Sequence, residues 1–318
     1  MLLLPLLTVF FPSAFAALTY RGVDWSSLLL VEEAADKTYT GIDGNTKPLE
    51  QILKNNGVNT VRQRLYNTWA DPEHQTTPKA WESYGVDDLA TAVQNYTETV
   101  MNSFNSADIP IQIVSIGNEI TAGLLWPVGD IRTDSGPSNV AKLLHAASAG
   151  VKSSYFTPQP KIMIHLDNGW EWSTQQWWYD AVLGESVLTT DDFDMQGVSY
   201  YPFYNEEATL DALRTSLTNM KTQYGKDVLV VETNWPQSCP DPEYAFPSDA
   251  SDIAYTPARQ KLWMKNVASA VEDAGGNGVF YWEPAWLDNA ALGSSCADNL
   301  MFANNGHALK SMEVFGSI

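Results

Sequence analysis

"IVSIGNEI", residues 113–120, and "VLVVETNW", residues 228–235, decide how this chain is read. Each begins as an apolar, β-branched run of the kind found in strands buried on both faces. Each then ends in a glutamate, Glu119 after Asn118 in the first and Glu232 in the second. A charge at the end of a buried strand must be compensated or made useful. Two such endings call for one architecture in which strand ends emerge together.

The rest of the chain supplies that architecture. Short apolar runs at 21–25, 58–65, 111–118, 161–166, 194–200, 227–233 and 278–283 read as strands. Helical periodicity covers 47–55, 86–106, 138–153, 173–183, 207–224 and 257–274. Alternation of this kind predicts parallel strands joined by crossover helices. A doubly wound nucleotide-binding sheet should show a glycine-rich first turn, and none of the G-x-G-x-x-G, P-loop or G-x-S-x-G patterns occurs. The remaining architecture is the (β/α)8 TIM barrel, whose chemistry sits at the C-terminal strand ends. Asp24, Arg62, Arg64, Asn118, Glu119, Asp167, Tyr200, Tyr201, Glu232 and Glu283 all fall there. Only seven strands can be found. Between residues 66 and 110 there is one helical pattern and no strand, so one βα unit is missing after the second strand.

Two carboxyls facing each other across a barrel mouth suit glycoside hydrolysis. One protonates the departing oxygen; the other attacks the sugar carbon or activates water. Glu119 and Glu232 are the expected pair. Asn118 is placed to bond a sugar hydroxyl. Arg62, or Arg64 two residues on, is placed to hold Glu232 ionised. Glu119 needs the opposite shift, so that it is protonated when it acts. Glu283 in "YWEPAW" is a third, lesser candidate. His165 and Asp167 alternate on one strand face, but no third ligand accompanies them, so neither a metal nor any other cofactor is expected.

Composition sets the surroundings. A formal net charge of −20 disfavours nucleic acid and anionic membranes as partners. The 12 Trp and 14 Tyr offer flat faces on which sugar rings can lie. "MLLLPLLTVFFPSAFA" (1–16) reads as a secretory leader ending in a small-x-small cleavage pattern. Residues 17–318 carry no linker and read as a single catalytic domain. In a secreted chain Cys239 and Cys296 read as one disulfide, with two free buried thiols as the alternative. Asn95-Tyr96-Thr97 is a glycosylation sequon.

The motifs "YRGVDWSS" (20–27), "GVNTVRQR" (57–64), "IVSIGNEITAGLLWP" (113–127), "KIMIHLDNGW" (161–170), "GVSYYPFY" (197–204), "VVETNWP" (230–236) and "FYWEPAW" (280–286) together resemble the fungal arabinogalactan endo-β-1,4-galactanases of glycoside hydrolase family 53. The resemblance implies a (β/α)8 barrel and a retaining endo-hydrolase of β-1,4-galactan, and a monomer is expected. It makes Glu119 the proton donor and Glu232 the nucleophile. Asn118, Arg62 and Tyr201 fall on substrate positions, Trp282 and Trp286 on a sugar-stacking wall. It also implies a Cys239–Cys296 disulfide between the loops after the last two strands. The chain departs from the family at "RQRLYNTWADPEHQ" (62–75), where the second helix and third strand of the barrel are absent. That absence keeps two other readings in view: a galactan-binding or impaired relative, and a clan-related β-1,4-glycanase of other specificity.

Overall fold

Seven strands form one parallel sheet in the order β2-β1-β7-β6-β5-β4-β3. The computed structural model describes residues 17–34, 36–65 and 73–318. The leader reading (1–16) and the junction at 66–72 lie outside the described residues. The strands are β1 (Tyr20–Asp24), β2 (Thr60–Arg62), β3 (Ile113–Ser115), β4 (Lys161–Leu166), β5 (Met195–Ser199), β6 (Asp227–Glu232) and β7 (Gly278–Tyr281). All seven expected strands are present. The helices α1 (Leu49–Asn55), α2 (Val86–Ser106), α3 (Gly136–Lys152), α4 (Trp172–Gly184), α5 (Leu210–Tyr224) and α6 (Pro257–Asp273) stand where the 3.6-residue periodicity puts them.

Local chemistry sets their ends. Thr209 caps α5 by accepting the Ala212 amide, and Gly225 closes it at φ +69°. Thr256 caps α6 in the same way, with Pro257 in the first turn. Both devices satisfy amides and carbonyls that a helix end leaves unpaired.

Burial separates the sheet into a strong and a weak part. Every residue of β5 is buried, and so are the last five of β6. Inside the curved sheet Met163, Met195, Leu229, Val231 and Phe280 fill the lower barrel, with Tyr20 and Ile113 at the margin. Gly22 is what lets Phe280 in, because a Cβ there would lie 2.1 Å from its ring. The larger core lies between the sheet and the surrounding helices.

The weak part is the seam between β2 and β3. Each pairs on one side only, β2 with β1 and β3 with β4. No residue of either strand is fully buried. Val61 is 42% exposed, and α2, the next α-helix among the described residues, packs mainly against α3. At the N-terminal end of the seam lies a cavity of about 390 Å³ lined by Tyr20, Asn59, Thr60, Ile111 and Gln112. The lost unit therefore leaves an opening at the bottom of the barrel.

This asymmetry predicts unequal sensitivity to substitution. Leu229→Ala is expected to cost about 2–5 kcal/mol in denaturant unfolding, whereas Val61→Thr should stay within about 0.5 kcal/mol. Comparable losses would mean that the seam is packed as tightly as the β5–β6 side.

Candidate active site

The C-terminal strand ends meet around one buried carboxylate. Glu232, the last residue of β6, is 2% exposed. Its Oε1 accepts from Arg62 Nη1 at 2.6 Å and from Arg64 Nη2 at 2.5 Å. Its Oε2 accepts from the Tyr201 hydroxyl at 2.8 Å. Burial alone would push this carboxyl up, but Arg64 and Arg62 outweigh it and hold Glu232 far below the ordinary range. Charge-assisted bonds from two guanidiniums make it a fixed anion.

Glu119 lies just beyond β3 and is also buried. Its backbone is left-handed, at φ +51° and ψ +48°. For a non-glycine residue that conformation costs roughly 1–3 kcal/mol and persists only where the surroundings impose it. It turns the side chain into the barrel mouth. Burial and the neighbouring Glu232 charge push its carboxyl up to about 8, against a bond from the Ser199 hydroxyl. One oxygen of each glutamate and a ring nitrogen of His165 all lie within 4.8 Å of one another. Two carboxyls thus share the site in opposite protonation states.

His165 binds this pair together. It is fully buried, and burial and Arg62 push it down to about 3, so the imidazole is neutral. The Arg62 Nη2 faces His165 Nδ1 at 3.5 Å, and His165 Nε2 lies 2.9 Å from Ser199 Oγ. With Nδ1 accepting from the guanidinium, Nε2 donates to Ser199, whose hydroxyl is then oriented to donate to Glu119. The trio Glu119, His165 and Glu232 has the spacing of a metal site, but two guanidiniums already neutralise Glu232 and oppose a further cation.

The remaining expected residues divide. Arg62 also donates to Asp24 Oδ2 at 3.1 Å and to Asn118 Oδ1 at 2.5 Å. The sequence offered Arg62 or Arg64 as the partner of Glu232; both take that role. Tyr201 meets Trp282 edge to face at 6.4 Å, and Arg64 lies over the Trp282 ring at 5.5 Å. The Trp282 backbone is pinned to the end of β6 through Thr233 O and Asn234 Nδ2. Trp286 is half-buried and packs against the main core. Glu283 is not beside the pair. It sits at φ +46°, accepts from the Ser27 amide and hydroxyl at 2.8 and 2.5 Å, and is pushed up to about 8 by burial and by Asp24. Asp167, which sequence spacing paired with His165, stays out of the close trio. The disulfide Cys239–Cys296 is formed and joins the loops after β6 and β7, beside Phe203 and Tyr201. Ser199 is the residue that sequence reasoning missed. Its signal is alternation on β5, two residues after Gly197 and two before Tyr201.

Comparison with known proteins places this geometry in a lineage. The model for glycosyl hydrolase family 53 matches residues 20–68 and 67–315. An arabinogalactan endo-beta-1,4-galactanase of Thermothelomyces thermophilus is 50% identical over 337 aligned positions, covering 95% of this chain and all of that one. That of Aspergillus niger is 51% identical, covering 94% of this chain and 95% of the relative. A solved fungal beta-1,4-galactanase superposes with a TM-score of 0.91 at 49% identity, over 95% of this chain and 100% of its own. The GH53 catalytic domain of Ignisphaera aggregans does so with 0.80 at 26% identity, covering 95% and 97%. The family match breaks at 67–68, and the 337-position alignment is longer than this 318-residue chain. The alignment therefore includes positions that this chain lacks.

The carboxyl pair also has a thermodynamic signature. Glu119 rises from an ordinary 4.5 to about 8 on folding. Between those values the unfolded chain has released a proton that the native state keeps, so stability falls as pH rises. Glu119→Gln removes that loss. Its melting temperature should exceed that of the native chain at pH 7 and converge with it near pH 4. A difference independent of pH would contradict the assignment.

Proposed function

The chain belongs to glycosyl hydrolase family 53, and from that premise we propose that it cleaves β-1,4-galactan internally, with retention of configuration. The supporting observation is the pair of buried carboxyls with oxygens within 4.8 Å, one ionised by two arginines and the other held protonated. Retaining enzymes need carboxyls roughly 5–5.5 Å apart; inverting ones leave room for a water at about 6.5–9.5 Å.

The steps follow from the electrostatics. Glu119 delivers its proton to the glycosidic oxygen as the bond to the anomeric carbon breaks. Glu232 attacks that carbon and forms the glycosyl-enzyme. Its charge is then gone, and with it the Coulombic push on Glu119. The Glu119 carboxylate takes a proton from water, which displaces Glu232. Tyr201 and the two arginines position the nucleophile. Asn118, Arg62 and Tyr201 bind the reacting sugar, and Trp282 and Trp286 supply stacking faces. No cofactor enters.

Among the described residues no helix is long and apolar enough to cross a membrane. The leader-like 1–16 and the Asn95-Tyr96-Thr97 sequon support the reading of a secreted chain glycosylated at Asn95, and we take residues 17–318 as one monomeric catalytic domain.

Purified chain should release reducing ends from linear β-1,4-galactan, and Glu232→Ala should abolish the release. Glu119→Gln should lower kcat by roughly 10²–10⁴-fold. In the native chain kcat/KM should fall above about pH 8, where Glu119 loses its proton. A folded chain that binds galactan without cleaving it would favour the binding-only reading. Turnover on mannan or cellulose in place of galactan would favour the other clan specificity.

A further inference from the structure

The outer face of α2 carries an aromatic cleft of about 570 Å³ that shares no lining residue with the carboxyl cluster. Trp81 and Tyr84 form one wall, from the 3-10 turn before the helix and the residues just after it. Asp88, Thr91, Asn95 and Tyr96 form the other, at the spacing of successive helical turns. Trp81 and Tyr96 meet edge to face at 5.9 Å. Tyr84 is 36% and Tyr96 44% exposed, an unusual concentration of aromatic surface outside the barrel mouth. The opposite face of the helix is taken: at Gly150 of α3 a Cβ would meet Gln94 O at 2.5 Å and Thr97 Cβ at 2.9 Å. Asn95 therefore projects away from the α2–α3 seam, into the cleft.

We infer that this cleft cradles the first sugars of a glycan carried by Asn95 itself. The attachment residue is part of the cleft lining, so the occupant is tethered where the aromatic faces are, at an effective concentration no free ligand matches. A neutral sugar suits the lining. Its C–H faces lie on Tyr84, Tyr96 and Trp81, while Asp88 and Thr91 meet its hydroxyls. The glycan then braces the 3-10 turn against α2. The inference rests on the reading that the chain is secreted and modified at Asn95.

The test is a cycle of melting temperatures on chain secreted from a fungal host, with and without enzymatic removal of N-glycans. Glycopeptide mass spectrometry reports Asn95 occupancy. Deglycosylation should lower the native melting temperature by about 2–4 °C. In Tyr84→Ala/Tyr96→Ala, which keeps the sequon, it should change nothing, and galactan turnover should be unaltered. A bare Asn95 would overturn both the premise and the inference. An occupied Asn95 with equal shifts in native chain and variant would overturn the inference alone. So would retention of deglycosylated Glu232→Ala on galactan that is lost when Tyr84→Ala/Tyr96→Ala is added without any effect of the glycan on melting, since the cleft would then serve the polysaccharide.

Discussion

Arg62 is the group on which the site depends. From the end of β2 its guanidinium touches Asp24 on β1, Glu232 on β6, Asn118 after β3 and His165 on β4. Such a cation is costly to bury and stable only when every donor is answered. Here the answers define the chemistry. Arg62 and Arg64 are balanced by their salt bridges to Glu232 and Asp24. Arg64 pulls only weakly on Glu119, and burial together with the Glu232 charge keeps that carboxyl protonated. The division of labour between the two glutamates is thus a charge balance, set by how many guanidiniums reach the barrel mouth.

The same residue explains how a barrel short of one unit keeps its site. β2 and β3 share no backbone pairing, and the bottom of their seam opens as a cavity. At the top the gap is crossed by side chains: Arg62 donates to Asn118, and Gln75 donates to the Asn118 carbonyl at 2.9 Å. In this architecture the C-terminal face carries chemistry and the opposite face carries stability. The missing unit weakens the second and spares the contacts of the first. Glu119 sits in its left-handed conformation, and Glu232 ends a strand that is paired on both sides.

Much of this was legible because the physics is local. β6 is covered on both faces, so its sequence is an apolar run without alternation, and the glutamate that ends the run marks the cleft. The missing strand showed as a count, since no apolar run fills 66–110. What escaped was whatever depends on distant partners. Ser199 is an ordinary serine until His165 and Glu119 are known to flank it. His165 and Asp167 share a strand face in the sequence, but only the folded burial of His165 and the nearby Arg62 show why the imidazole is neutral. Glu283 ends a strand as the other two glutamates do, yet its left-handed backbone turns it to Ser27 and Asp24. Strand-end position reveals that a residue reaches the barrel mouth, not which neighbour it meets there.

The most direct test of a retaining pair held together across an open seam is the anomeric configuration of the first product. Purified chain would be added to linear β-1,4-galactan and the new reducing ends followed by proton NMR within the first minutes. The account predicts that the β-anomer appears first and then mutarotates. An α-anomer appearing first would contradict it, because the carboxyls would then work across a water and not through a covalent intermediate on Glu232.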